Sequence, residues 1–125
     1  MRILLDTHVL LWALMGDARL GRAKPLILDR ANEIAVSTAS YLELAIKASQ
    51  GKIDIDLSQI RASVAASGYD ELPVTGTHAE ALAGLPWHHK DPFDRILVAQ
   101  ALAEPMRLLT ADAAVARYSD TVMLV

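Results

Sequence analysis

The amino-acid sequence predicts an α/β fold, a three-layer α/β/α sandwich with a central parallel sheet. Short apolar runs alternate with helical stretches along the chain, and this alternation is typical of parallel α/β folds. A length of 125 residues with 53% hydrophobic content fits one domain with its own core. No repeat, low-complexity tract or Pro/Gly-rich linker interrupts the pattern, so residues 1–125 are predicted to form a single domain.

Each element of this sandwich has a signal in the sequence. Apolar runs predict five strands, at 2–6, 34–37, 71–74, 106–110 and 121–125. The stretches between them predict helices near 8–15, 23–31, 39–50, 58–67, 77–83, 92–103 and 112–117. Gly51 and Gly68 are predicted to follow the ends of two helices, as C′ residues. Asp91 before Pro92 predicts a helix start, with the aspartate as N-cap and the proline in the first helical position.

The composition narrows the range of functions. The chain has no cysteine, which excludes thiolate metal sites, disulfides and cysteine nucleophiles and is compatible with a reducing cytoplasm. The apolar N-terminal stretch is interrupted by Asp6 and His8, and the part from Val9 to Met15 is too short to span a bilayer. We therefore expect a cytoplasmic protein with no membrane partner.

Four carboxylates stand where apolar segments begin or end. Asp6 and Asp112 follow two predicted strands, and the carboxyl ends of parallel strands meet at one edge of a sheet. Glu43 and Asp94 lie on predicted helices, close to the apolar stripe of each helix. Crowded carboxylates repel one another and resist desolvation, so a hard divalent cation such as Mg²⁺ or Mn²⁺ is the simplest way to keep them ionised. The sequence thus predicts an acidic metal pocket suited to phosphodiester chemistry.

Each of these acids also has an ordinary structural explanation. Asp6 and Asp112 are each placed to N-cap the helix that follows, and Asp94 complements the dipole of a first helical turn. Glu43 stands four residues before Lys47, the favourable order for an exposed ion pair on a helix. These explanations do not account for the coincidence of four carboxylates at two strand ends and two apolar stripes. We therefore predict that the four share one site, and that the N-cap Asp91 lies outside it.

The overall charge agrees with a pocket of this kind. The net charge of −3 argues weakly against tight, nonspecific binding to long nucleic acids. Once the four candidate ligands are set aside, however, the remaining acidic residues nearly balance the 12 basic ones. A contact to a scissile phosphate through a metal, or a basic partner protein, remains compatible with this charge.

Several polar side chains near these acids are candidates for RNA contacts. His89, Lys90 and Arg95 surround the DPFDR segment and supply donors for phosphate, although a solvated loop of this composition is at least as common. Thr110 precedes Asp112 by two residues and is placed either to hold a water near the metal or to cap the backbone. His8 and His78 have no evident partner in the sequence.

The aromatic and leucine-rich positions leave alternatives open. Trp12 is predicted to lie in the core, whereas Tyr41 and Trp87 are placed equally well to stack on a base or to pack in the protein. The early helices carry more leucines than a short helix pair needs, and these form either buried core or a surface for a dimer or partner protein: Leu10, Leu11, Leu14 and Leu28.

Four segments follow one another along the chain in the order LLDTHVLLW, STASYLELAIKASQGKI, LPWHHKDPFDRILVAQA and LLTAD. Together they resemble PIN-domain proteins of the VapC toxin type, over nearly the whole chain. The resemblance implies an α/β/α sandwich and an endoribonuclease dependent on Mg²⁺ or Mn²⁺, usually neutralised by a cognate antitoxin encoded beside it. It places the acidic ligands at Asp6, Glu43, Asp94 and Asp112 and leaves Asp91 without a ligand role. The expected partners are RNA and the antitoxin, in a homodimer or a higher hetero-oligomer.

Two other classes of protein have a similar length and fold class. Receiver domains resemble one another in having paired acids after the first strand and a lysine after the last, whereas here Asp6 stands alone and no lysine follows Lys90. A PIN scaffold that only binds a partner would keep the fold without metal-dependent chemistry. Metal titration distinguishes such a scaffold from a nuclease.

Overall fold

A five-stranded, fully parallel sheet forms the centre of the protein in a computed structural model that describes residues 1–125. The strand order is β3-β2-β1-β4-β5, with strands at β1 (Arg2–Leu5), β2 (Glu33–Ser37), β3 (Asp70–Leu72), β4 (Arg107–Thr110) and β5 (Val122–Leu124). In the middle of the sheet, Leu4 is in register with Ala35 on one side and Leu108 on the other. All five predicted strands are present, with ends that differ by a few residues.

Seven helices surround the sheet: α1 (Thr7–Met15), α2 (Ala23–Leu28), α3 (Thr38–Ser49), α4 (Leu57–Ala66), α5 (Gly76–Ala83), α6 (Pro92–Ala103) and α7 (Ala113–Ala116). Asp91 caps α6 and Pro92 begins it, as predicted, and Gly51 and Gly68 both have the positive φ expected of C′ residues. None of the helices combines the length and the apolar character that crossing a membrane requires.

The sequence prediction was wrong about the end of α2 and missed one short element. The helix was expected to continue to residue 31, but it ends at Leu28. The Asp29 side chain accepts a hydrogen bond from the Ala31 backbone N–H, and this turn directs the chain into β2. A 3₁₀ turn at Ala18–Leu20, capped by Asp17, had no predicted counterpart.

The two faces of the sheet bury two separate hydrophobic clusters. Ile3 and Leu5 of β1 belong to a cluster that includes residues of α1, α2, α3 and α4, such as Val9 and Val64. Leu4, between them in the sequence, belongs to a cluster on the other face that includes residues of α6 and α7. This alternation is the two-residue period of a strand buried on both sides. The three-layer α/β/α prediction is therefore confirmed.

The strand order places a crevice at the carboxyl ends of β1 and β4. The chain leaves β1 to form β2 and β3 on one side of it, and then forms β4 and β5 on the other side. A reversal of this kind leaves an opening beyond the carboxyl ends of the two strands, where ligands bind in open α/β sheets. Asp6 follows β1 at this point, and its backbone N–H donates to the Leu109 carbonyl of β4.

His78, for which the sequence suggested no partner, is the centre of a buried hydrogen-bond network. Its Nδ1 accepts from the Thr75 backbone N–H at 3.0 Å, and its own backbone N–H donates to Thr75 Oγ1, which forms a capping box at the start of α5. Because Nδ1 accepts, Nε2 has the proton and donates to Glu104 Oε2 at 2.6 Å. This hydrogen bond lowers the pKa of Glu104.

Replacing His78 with alanine should lower the free energy of unfolding by about 2–3 kcal/mol, because it removes the half of the capping box that the imidazole forms with the Thr75 backbone N–H and leaves buried polar groups unpaired. Urea unfolding followed by circular dichroism measures the change. Glu80→Ala is the matched control, since Glu80 is exposed on the same helix and forms no ion pair. A loss as small as that of Glu80→Ala would show that the network contributes little.

Candidate functional site

A cavity of about 390 Å³ lies at the crevice between the ends of β1 and β4. Three of the four predicted acids, Asp6, Asp94 and Asp112, are among its lining residues. The other lining residues are His8, Trp12, Ala111 and Ala113. Side chains from two strand ends and one helix thus meet in one place, although they are far apart in the sequence.

Two of these acids are N-caps and cavity residues at the same time. Asp6 Oδ1 accepts from the Val9 backbone N–H at 2.8 Å and caps α1. Asp112 Oδ1 accepts from the Ala114 backbone N–H at 2.8 Å and caps α7. Capping fixes each carboxylate through one oxygen and leaves Oδ2 for another partner. The structural explanation and the metal explanation for these residues are therefore compatible.

His89 joins the acids at this site. Its Nε2 lies 2.8 Å from Asp94 Oδ2 and 3.5 Å from Asp112 Oδ2. The three side chains offer ligand atoms that all lie within 4.8 Å of one another, a spacing that would allow one cation to contact all of them. The sequence suggested His89 as an RNA contact, whereas the structure places its ring against two carboxylates.

Burial makes two acids of the cavity, Asp6 and Asp94, reluctant to ionise. Asp6 is 5% exposed, and desolvation raises its pKa against the opposing hydrogen bonds from Thr110 and Val9. Desolvation also raises the pKa of Asp94 to about 6; the His89 hydrogen bond opposes this shift, and repulsion from Asp91 and Asp6 adds to it. A cation between these groups would reverse both effects, because it stabilises the ionised carboxylates.

Glu43 is buried but does not line this cavity. Its Oε2 accepts from Lys47 Nζ at 2.9 Å, so the ion pair between positions four apart on α3 is present. Its Oε1 is buried without a hydrogen-bond partner, a state that costs about 1–3 kcal/mol. The structure therefore brings three of the predicted acids together and leaves the fourth on α3 with one unsatisfied oxygen.

Two of the predicted RNA contacts, Arg95 and Thr110, are buried. Arg95 is 6% exposed, and its Nη1 donates to the Pro86 carbonyl at 2.9 Å and to Tyr118 Oη at 3.0 Å. Thr110 is fully buried, and its hydroxyl accepts from the Asp112 backbone N–H at 3.1 Å. Both side chains are held inside the protein, and Thr110 also contacts one of the acids through the backbone of Asp112. Lys90 is exposed and forms no ion pair, so it stays a predicted RNA contact.

Tyr118 is a supporting residue that the sequence reasoning missed. Its hydroxyl accepts hydrogen bonds from the backbone N–H of His89, at 3.0 Å, and from Arg95. It therefore holds the segment that presents His89 and Asp94 to the cavity. Tyr118 is 29 residues from His89 in the sequence and follows the short helix α7, so no local pattern indicated the contact.

The comparisons with known proteins agree with this architecture. The sequence model of the PIN domain family matches residues 3–120. Ribonuclease VapC22 of Mycobacterium tuberculosis is 32% identical over 117 residues, which cover 88% of this chain and 86% of that protein. The crystal structure of VapBC2 from Rickettsia felis, bound to a DNA fragment from their promoter, contains a chain that superposes with a TM-score of 0.70 at 18% identity, covering 100% of this chain and 98% of that one. The chain therefore belongs to the PIN-domain family, as a member of VapC type.

Proposed function

We propose that this protein is an endoribonuclease of the cytoplasm that hydrolyses RNA phosphodiester bonds with Mg²⁺ or Mn²⁺ and acts as the toxin of a toxin-antitoxin pair. The observation that carries the proposal is the cavity shared by Asp6, Asp94 and Asp112 at the carboxyl edge of the sheet. The similarity to a protein named as a ribonuclease supports the reaction class. The fold shared with a protein of a VapBC complex supports an antitoxin partner.

The residues present fit a hard divalent cation. The donor set consists mainly of carboxylate oxygens, which Mg²⁺ and Mn²⁺ prefer, and two of the acids have pKa values raised by burial. Asp6, Asp94 and Asp112 would hold the ion. Glu43 is the proposed fourth acid, because its buried Oε1 has no other partner. When bound, the cation supplies the charge that lowers the pKa of an attacking water and offsets negative charge on the phosphate.

The protein's own side chains prepare the site for the reaction. The backbone hydrogen bonds of the two N-caps fix Asp6 and Asp112, and the His89 hydrogen bond orients Asp94. Carboxylates held in this way need little rearrangement when substrate binds, which lowers the entropic cost of reaching the transition state. Without a cation, the same three carboxylates repel a phosphodiester, so RNA binding at this cavity depends on the metal.

The receiver alternative does not fit the topology. Receiver domains have the strand order 2-1-3-4-5, whereas this sheet has the order 3-2-1-4-5. The first strand lies between β2 and β4 in this protein, whereas in receiver domains it lies between the second and third strands. The binding-only PIN scaffold keeps the observed fold and is separated from the nuclease by the metal titration below.

The proposed antitoxin partner would bind apolar surface outside the cavity. Of the leucines on the early helices, Leu10 is buried in the core and Leu11 and Leu14 are half-buried. Leu28 is 67% exposed, so it remains the candidate among them. A homodimer or a higher hetero-oligomer with the antitoxin belongs to the same proposal.

Calorimetric titration with MgCl₂ and MnCl₂ tests the metal site in the wild type and in Asp6→Asn. We expect the variant to bind the ion at least about 100-fold more weakly. Loss of a residue that only orients a metal ligand lowers metal affinity by up to about 100-fold, and loss of the ligand itself should lower it at least as much. Asparagine is as good an N-cap as aspartate, so α1 should remain capped. Asp17→Asn is the control, since Asp17 also caps a helical turn but does not line the cavity. A wild type that binds neither ion would favour the binding-only scaffold.

A further inference from the structure

The protein has a second cavity, of about 350 Å³, that is lined by an exposed tryptophan. We propose that Trp87 stacks on an unpaired base of single-stranded RNA, next to the site of cleavage, and so forms a nucleotide subsite. This inference rests on the proposed function and adds to it a binding site for the substrate. The cavity is lined by Leu82, Ala83, Trp87, Lys90, Pro92, Arg95 and Ile96.

The Trp87 indole is exposed and also held in place. Its side chain is 77% exposed, and the Arg95 guanidinium lies 3.9 Å from the ring centroid. Arg95 is itself buried and anchored by its hydrogen bonds to Pro86 and Tyr118. A buried, anchored cation against one face of an indole fixes the ring and leaves the other face for a ligand. A ring that is already fixed loses little entropy when it stacks on a base.

Residues of the second cavity and of the acid cluster are consecutive in the chain at two points. Lys90, which lines the second cavity, follows His89 of the acid cluster, and Arg95 follows Asp94. The backbone that carries Lys90 and Arg95 is therefore the one that carries His89 and Asp94, and we infer that a base on Trp87 would belong to the RNA whose phosphate is held at the acids. The short segment from Trp87 to Arg95 thus contributes to both cavities.

The charges around Trp87 favour RNA as the occupant. Lys90 is exposed without an ion pair, and its ammonium complements a backbone phosphate. The apolar lining suits the face of a base, and stacking accepts any of the four bases. The base must be unpaired, because a base within a duplex has both faces covered by its neighbours. Single-stranded RNA supplies both an exposed base and a phosphate.

Cleavage kinetics with a short single-stranded RNA test the subsite. Trp87→Ala should lower kcat/KM about 5- to 150-fold, mainly through KM, which corresponds to the ~1–3 kcal/mol of one base–aromatic stack. Trp87→Phe should retain much of the wild-type value because it keeps an aromatic face. Met15→Ala is the matched control, an exposed apolar side chain that lines neither cavity, and should cleave like the wild type.

An abasic scan of the same RNA separates stacking from other effects of the substitution. Removing one base near the cut should weaken cleavage by the wild type and have almost no further effect on Trp87→Ala, because both changes remove the same contact. Equal losses in the two proteins would overturn the proposal. A kcat/KM of Trp87→Ala equal to that of the wild type would also overturn the proposal. This holds even if the variant has lost the ability to bind an antitoxin, because Trp87 would then contact a protein and not RNA.

Intrinsic fluorescence distinguishes failure of the subsite from failure of the proposed function. The chain has two tryptophans, so Trp12→Phe leaves Trp87 as the only indole. Titration with single-stranded RNA should quench its emission, and the matching duplex should not. Quenching without cleavage by the wild type in Mg²⁺ or Mn²⁺ would support the subsite and contradict the nuclease. Cleavage without quenching would contradict the subsite alone.

Discussion

Asp94→Asn should abolish metal-dependent RNA cleavage, with kcat/KM at least about 100-fold below that of the wild type, and should leave the fold intact. Asparagine has nearly the same shape as aspartate, but its neutral amide cannot replace an ionised oxygen ligand between His89 and the other acids. Cleavage of an end-labelled single-stranded RNA in Mg²⁺ and in Mn²⁺ measures the loss, and circular dichroism checks the fold.

Asp91→Asn is the matched control for this loss. Asp91 caps α6 through the backbone N–H groups of Phe93 and Asp94, and asparagine caps a helix equally well. The control makes the same chemical change three residues away in a side chain that does not line the cavity, so activity should stay within about 3-fold of the wild type. Retained activity in Asp94→Asn would remove Asp94 from the proposed site.

The part of the site that follows from strand ends could be predicted from the sequence. A run of apolar residues that stops at an acid indicates where a strand ends, and in a parallel sheet these ends share an edge. This reasoning brought Asp6 and Asp112 to one place, and the cavity contains both. It required the strand ends only to within a residue or two, so the small errors in the predicted limits had no effect.

The parts that depend on long-range packing could not be predicted. Helical periodicity gives the direction in which the Glu43 side chain leaves α3. It does not give the distance between α3 and the acid cavity, and in the structure Glu43 does not line that cavity. The DPFDR motif indicates that Arg95 is a cation near the acids. It does not indicate that hydrogen bonds to Tyr118 and Pro86 hold Arg95 in the interior. These contacts are made by residues that meet only after the sheet has formed.

The raised pKa of Asp94 links the stability of the protein to pH and metal. In the folded state its pKa is about 6, against an ordinary value of 3.8. Between these values the folded protein holds a proton that the unfolded chain has released, so the free energy of unfolding falls as pH rises from about 4 to about 6. Acids with lowered pKa values, such as Glu104, act in the opposite sense, but their contribution is already complete above about pH 4.5.

In metal-free buffer at pH 7.5, Asp94→Asn should therefore be more stable than the wild type, by about 1–2 kcal/mol after allowance for solvent screening, and the two should converge near pH 4. Saturating Mg²⁺ should reverse the order at pH 7.5, because an ion at 100 times its Kd adds about 2.7 kcal/mol to a protein that binds it. Urea unfolding at each pH, with EDTA and with MgCl₂, measures both effects. If the free energies of unfolding of the two proteins change in parallel with pH, the fold does not destabilise ionised Asp94. If Mg²⁺ stabilises the two proteins equally, Asp94 does not bind the ion.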